Sequence, residues 1–530
     1  MLQRLRHALP GRRTRLWLSL LAASALATSA LAGGAVAAVA ALGCAAAACA
    51  AAILLIRDDD RPRLIVWILA VTLVRVTFAA VLHLVLIQRG PYGALFLDDA
   101  GYVQIAIALA DHWRGRGLAP FIDPSFDHNY VKLAAALFYV IGPNIVALKL
   151  LNTLLGVLAA LFVYRTMTAA GLPGRRVGLA LMLIFPSIVL WSALALKDSY
   201  SLLFMLLTVW SVTEFVRTHR YLPWCALAIV ALLALENVRA FLFAILVVAW
   251  PIGVLVALPR RRIAATAVTT VLAVLLLVAT SALSYLNPSI ITASVYVRQS
   301  MARGAASGFV APLPVIRAEA CVPFVVTVPG RTPVPDPPRR IDVPVGTELV
   351  VDPGATARPG SLLVRPGDVV AVAGATPCPV AARATSLPAV VLAPDARNVV
   401  STPAPTTQDA FAFSRDLAET AAHLPVGVLA LVAAPFPLIA RTPGELAAAP
   451  EMLAWYGILL FAFLGLRRLT PQMRARFAYG LVVLALIALV LSLYEGNVGT
   501  LVRHRAMVIP FVIVLAAVGA AARRDSGATP

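Results

Sequence analysis

Long apolar runs recur almost from end to end of the chain, interrupted by short clusters of arginine, proline and glycine. Each run is near the ~20 residues that an α-helix needs to cross a bilayer, and together they predict an all-α polytopic membrane protein with about 12 crossings. The first run, residues 16–56, is twice that length and is broken at Gly33 and Gly34. A helical hairpin is expected there, with the flanks RLRHALPGRRTR and RDDDRPR both on the cytoplasmic side, where basic residues concentrate. A cleaved signal peptide is the alternative for its first half, but no clear small-residue cleavage site precedes the apolar sequence that follows.

Arginine clusters then set the direction of each crossing. Residues 64–88 run outward and 145–167 return, leaving GLPGRRVG inside. Segments 177–196 and 199–217 form an outward and inward pair, as do 222–236 and 240–258, the latter closed by Arg260, Arg261 and Arg262. Segment 263–286 leads outside. The stretch 424–440 contains APFP, whose prolines remove helix hydrogen bonds, so it reads as re-entrant or interfacial. Segment 451–466 follows it, 477–494 goes out and 506–522 comes back, ending at Arg523 and Arg524 inside. Four regions result: an N-terminal basic segment and hairpin (1–63), a core (64–286) carrying a first outer loop (89–144), an outer insert (287–423), and a C-terminal set of helices (424–530).

The two outer segments differ in kind. Within the first, LDDAGYVQIAIALADHW has apolar residues at helical spacing with acids at one end, which predicts a short helix on the membrane surface. The second holds 18 of the chain's 38 prolines between 311 and 405. Its runs TELVV, SLLV and DVVAVAG, separated by DPG, RPG and RPGD, predict a small β-rich module. Cys321 and Cys378 both fall there and are expected to pair in an oxidising exterior.

Composition narrows the class. Of 530 residues 61% are hydrophobic and only 13% charged, about half the charged share of an ordinary soluble domain. The net charge of +19 would raise nucleic acid as a partner in a soluble protein, but here the arginines punctuate apolar segments and topology accounts for them. The five cysteines show no CxxC and no zinc-type spacing with histidine. No phosphate-binding glycine loop for a nucleotide occurs, so any group transfer needs a donor that is already activated. Alanine- and arginine-rich, lysine-poor usage suggests a GC-rich bacterial source, and with the apolar runs the expected location is the bacterial inner membrane, the site facing outward.

Several charges stand where apolar residues are expected. Asp98 and Asp99 follow the first long outward helix, and paired acids just outside the hydrocarbon suit general-base work. The plainer alternative is a solvated helix N-terminus. Lys197 and Asp198 in WSALALKDSYSLLF, Glu236, Asn237 and Arg239 in LALENVRAFLF, and Glu495, Asn497, Arg503, His504 and Arg505 in LYEGNVGTLVRHRAMVIPF occupy three further outer turns. The three lysines of the chain, Lys132, Lys149 and Lys197, all fall near the outer leaflet. Charge at membrane depth usually faces a cavity or a partner, and Arg503 and Arg505 are expected to clamp a phosphate. Local pairs, Lys197 with Asp198, Arg239 with Glu236 and an arginine with Glu495, are the competing reading. His128 in FDHNY is a possible metal ligand with Asp123 or Asp127, though a loop histidine is more often structural.

FLDDAGYVQIA resembles the D-[DE]-x-x-Y region in the first outer loop of GT-C membrane glycosyltransferases, the fold of the family-39, protein O-mannosyltransferase and aminoarabinose-transferase group. NYVKLAAALFYVIGPNIVALKLLNTLLG is similar to that group's passage into its second core helix, and FPSIVLWSALALKDSY, APFP and GNVGTLVRHRAMVIPF resemble elements of family-39-like bacterial proteins. The likeness spans residues 64–300 and 424–522 and omits the hairpin and the β insert. It implies transfer of a sugar from a polyprenyl-phosphate donor to an acceptor outside, with inversion. Asp98 stands at the catalytic aspartate and Asp99 at the second acid, where the family often has the longer Glu. Tyr102, Lys197, Asp198, Arg239, Glu495, Arg503 and Arg505 are the expected substrate-binding set. No cofactor is required, although two acids could hold a divalent metal. Membrane lipid is a partner and nucleic acid is not. A transporter or flippase of lipid-linked glycans and a non-catalytic envelope scaffold are the alternatives.

Overall fold

A computed structural model describes residues 12–57, 61–118, 120, 128–218, 220–257, 263–280, eight short strands between 315 and 391, and residues 424–436, 443–495 and 498–526. The chain divides into two compact units. The first comprises Met1–Ala282, Pro450–Ile487 and Arg503–Pro530, the second Leu283–Ala449 and Ala488–Val502.

The first unit is helical. It begins with α1 (Arg12–Leu55), whose backbone leaves helical geometry at Gly33 (φ −149°, ψ 20°) and Gly34 (φ 70°, ψ −165°). The Gly34 conformation is one that a residue with a Cβ rarely adopts. Leu18, Ala22 and Leu26 before the break and Ala41 and Ala45 after it line one cavity of about 250 Å³. Leu18 and Ala45 would stand ~40 Å apart on a straight helix, so the chain doubles back at the two glycines. Leu69 and Leu73 of α2 (Arg61–Ile87) close the same cavity.

Between residues 89 and 144 lie α3 (Leu97–Trp113) and α4 (Asn129–Ile141), which pack on each other. The central helix α5 (Ile145–Ala170) packs against α1 and α2. Its N-cap, Asn144, accepts from the Ala147 amide at 2.9 Å and donates to the Gly33 carbonyl at 2.8 Å. One side chain thus satisfies a helix end and pins the α1 reversal. Next come α6 (Arg175–Ile184) and α7 (Pro186–Ser192), bent by 53° where Pro186 cannot continue the hydrogen-bond ladder. Arg75, buried in the middle of α2, donates to the Leu183 carbonyl (3.2 Å) and to Ser192 Oγ (2.6 Å), bridging that bend. There follow α8 (Asp198–Thr218), packed on α5, then α9 (Tyr221–Glu236), α10 (Ala240–Ala257) and α11 (Ile263–Ala279).

The second unit contains eight described strands: β1 (Val315–Arg317), β2 (Phe324–Val326), β3 (Arg340–Val343), β4 (Glu348–Val351), β5 (Leu362–Leu363), β6 (Val369–Val372), β7 (Arg383–Thr385) and β8 (Ala389–Val391). They pair as two four-stranded sheets, ordered β1-β4-β8-β5 and β3-β6-β2-β7. The first sheet is antiparallel throughout, with Val315 opposite Val350 and Leu349 opposite Val391. The second mixes directions, β6 running parallel to β3 and antiparallel to β2. Cys321 and Cys378 lie outside the described residues. The APFP stretch gives α12 (Leu424–Ala433), ten residues that rise only ~15 Å.

The remaining helices are α13 (Pro443–Arg468), α14 (Pro471–Arg476), α15 (Ala478–Tyr494), α16 (Val498–Arg505) and α17 (Ile509–Ser526). In the first unit a Cβ on Gly465 would fall on the Leu515 carbonyl oxygen, and one on Gly519 on that of Phe461. These glycines let the backbones of α13 and α17 touch, the small-residue packing that apolar surroundings favour.

Among the described residues six helices (α1, α2, α5, α8, α10, α13) are long and apolar enough to cross a membrane, or up to eight if the bent pairs α6–α7 and α16–α17 each count as one. The chain is a multi-pass helical membrane protein. The larger expected number counts α1 twice and includes α9, α11 and α15, which at 16 to 17 residues rise ~24–26 Å, short of a ~30 Å layer crossed upright.

Candidate functional site

The first turn of α3 carries Asp98 and Asp99 side by side, and neighbours on a helix differ by about 100° around its axis. That rotation separates their environments. The Asp98 side chain is 50% exposed. Asp99 is buried, and its carboxylate accepts from the Leu95 amide (Oδ2, 3.2 Å) and the Ala195 amide (Oδ1, 3.0 Å). Burial raises the Asp99 carboxyl above the usual range, against the opposing pull of Lys149 and the two amides. Asp99 therefore ties the start of α3 to the turn before α8, while its neighbour stays open to solvent.

Arg503, at the end of α16, reaches Asp98 with Nη1 (2.8 Å to Oδ2) and Asp198 with Nε (3.1 Å) and Nη2 (3.0 Å), both on Oδ2. Arg239, just before α10, donates Nη2 to Asp198 Oδ1. Four helix ends, those of α3, α8, α10 and α16, are thereby joined through two carboxylates and two guanidiniums. Lys197 stands beside them with Nζ 5.7 Å from the centre of the Tyr102 ring. Burial, reinforced by the charges of Arg239 and Arg503, lowers its amine to about 8. Tyr102 packs edge-on against His128 (5.1 Å) and Tyr130 (5.7 Å), and burial first, then Asp98, pushes its phenol up to about 12.

The turn that presents Lys197 and Asp198 is fixed by buried side chains from other helices. Asn152 Nδ2 on α5 lies 2.7 Å from the Leu194 carbonyl, 3.0 Å from that of Leu196 and 2.8 Å from the Tyr130 hydroxyl. Thr153 Oγ1 donates to the Ser192 carbonyl (3.3 Å), Arg75 to Ser192 Oγ, and Asp99 accepts from Ala195. Buried polar groups left without partners cost about 1–3 kcal/mol each, so these contacts hold the turn in one shape. Lys149, buried on α5, donates to the Gly93 carbonyl (2.6 Å) and lies 3.3 Å from His83 Nδ1, anchoring the loop ahead of Asp98.

Of the expected site residues, Asp98, Tyr102, Lys197, Asp198, Arg239 and Arg503 come together. Arg505 does not join them. Residues two apart on a helix face different ways, and Arg505 turns to α13, with Nη1 3.0 Å from Met452 Sδ and its guanidinium over Trp455 at 5.6 Å. Glu495 is buried and belongs to the second unit. Arg239 pairs with Asp198 rather than with Glu236, and Asn237 exchanges hydrogen bonds with Asn129. His128 caps α4, its Nδ1 accepting from the Val131 amide (3.4 Å), while Asp123 and Asp127 lie outside the described residues. Among the described residues no three His, Cys, Asp or Glu side chains converge as metal ligands. Asn152, Thr153 and Arg75 were not foreseen, although a polar residue within an apolar run was the available signal. Compared with known proteins, the chain matches no family model and no curated protein.

Proposed function

We propose that the chain is an inverting glycosyltransferase of a bacterial inner membrane, moving a sugar from a polyprenyl-phosphate donor to an acceptor on the outer face. The observation that carries this reading is the half-exposed Asp98 carboxylate, held by Arg503 at the edge of a buried cluster with one more cation than carboxylates. Asp98 takes the proton of the acceptor hydroxyl as its oxygen attacks the anomeric carbon. The bond from that carbon to the phosphate oxygen breaks, and the phosphate leaves with the electron pair. Cations beside the phosphate stabilise the charge it gains, and a single base opposite the leaving group gives inversion. Tyr102, Lys197, Asp198 and Arg239 line the donor side. Asp99 acts as an anchor rather than as a second base. The arrangement needs no cofactor or metal. About 12 crossings, counted with the shorter apolar helices and both arms of α1, bring the cluster to the outer face.

The test is transfer from a radiolabelled polyprenyl-phosphate sugar by purified protein. Asp98→Asn is expected to lower turnover about 10²–10⁴-fold, the range for loss of a general base, with the donor still bound. Unchanged turnover in Asp98→Asn would refute the role of Asp98. No turnover by the native protein across the common donor sugars would favour a flippase or scaffold.

A further inference from the structure

If Asp98 is the base, as just proposed, it has to be free when the acceptor arrives, yet it is engaged by Arg503. The two edges of that guanidinium are held unequally. On one edge Nε and Nη2 both reach a single oxygen of Asp198, with the Asp198 side chain 7% exposed and the other Asp198 oxygen taken by Arg239. On the other edge Nη1 alone reaches Asp98, whose side chain is half in water. The inner contact is enclosed and the outer one is open to competition.

Charge shows what competes. Lys197, Arg239 and Arg503 face the carboxylates Asp98 and Asp198, and Asp99, which also feels Arg503, is balanced by Lys149, which leaves one positive charge in excess. Lys197 carries it: among the described residues it has no ion pair, and it lies near enough to Arg503 and Asp98 for their charges to act on it. A guanidinium edge next to a lysine matches the oxygens of a phosphate, which accept charge-assisted hydrogen bonds from both. We propose that a phosphate ester anion binds the outer edge of Arg503 together with Lys197 by displacing Asp98, so that one exchange seats the donor and releases the base. Asp98 is then a competitor of the ligand in the resting protein. The inference rests on the transfer reading for its purpose but not for its test.

Full-length protein is titrated with two probes: inorganic phosphate in detergent micelles, and farnesyl phosphate in phosphatidylcholine nanodiscs. Removing the competing carboxylate in Asp98→Asn is expected to tighten binding about three- to tenfold, and Asp98→Ser serves as a second variant with no amide. Arg503→Lys and Lys197→Met are expected to weaken it. Tightening for both probes supports recognition of the phosphate group alone; tightening for farnesyl phosphate alone supports recognition of phosphate presented from the membrane. Unchanged or weaker binding of both probes in both Asp98 variants overturns the exchange, even if sugar transfer is observed. Tighter binding without any transfer leaves the exchange standing and removes the transferase reading.

Discussion

Asp98 and Asp198 contact the same arginine, and their replacement by asparagine should have very different effects on stability. Asp198 is enclosed and accepts from two guanidiniums, and among the described residues Arg239 has its ion pair with Asp198 alone. Removing one partner of a buried ion pair costs about 3–5 kcal/mol, because the remaining charge stays desolvated. Arg503 would keep Asp98, which places Asp198→Asn near the lower end, about 3 kcal/mol or roughly a hundredfold in the folded-to-unfolded ratio. The Asp98–Arg503 contact is half exposed, and solvent screening reduces such pairs to about 0–1 kcal/mol. Titrating purified protein in mixed micelles with dodecyl sulfate, followed by tryptophan fluorescence, compares the two variants directly. Equal losses, or a larger loss in Asp98→Asn, would show that the inner and outer edges of Arg503 are not held as described.

Three further outcomes follow from other parts of the molecule. Amine acylation of Lys197, followed by peptide mass spectrometry, should rise with a midpoint near pH 8, where an ordinary lysine titrates near ~10.4; a midpoint above 10 would show that the amine is solvated. The Asp99 carboxyl is raised on folding by burial, so its contribution to stability is full below its unfolded value of 3.8 and falls as pH climbs through its folded value. Stability of the native protein relative to Asp99→Asn should therefore decline as pH rises above about 4, and a flat or increasing difference would contradict the burial of that carboxylate. Gly34→Ala forces a Cβ into a glycine-only backbone conformation, at a cost of about 1–3 kcal/mol, and an unchanged midpoint in the same titration would mean that α1 does not reverse there.

What the sequence made legible is what periodicity and glycine reveal. The break in α1 falls at Gly33 and Gly34, the adjacent glycine pair near the middle of a 40-residue alanine-rich run, while the single Gly43 stays helical. Asp98 stood out because it follows the end of a long apolar helix within a short loop. Pairings across the fold were hidden. Glu236 is three residues from Arg239, yet Arg239 pairs with Asp198 across 41 positions, a proximity created by the packing of α8 and α10. Arg503 and Arg505 look equivalent in RHR, but helical rotation sends one to the acids and the other to Trp455. Likewise the adjacent Asp98 and Asp99 look like a dyad, and only the position of the Ala195 amide shows that the second is consumed as an anchor. Asn152 and Thr153 carry no motif at all; their role depends on which carbonyls the turn between α7 and α8 brings to them.

The turn from Ser192 to Lys197 is secured through its main chain by Asp99, Asn152 and Thr153, with none of these contacts made to the side chains it displays. Display and support are consequently written in different residues. Descendants of this protein can exchange what is shown at 197 without reshaping the platform, whereas a change at 152 would need simultaneous adjustment of several partners, so drift in preference should be gradual at the first position and rare at the second.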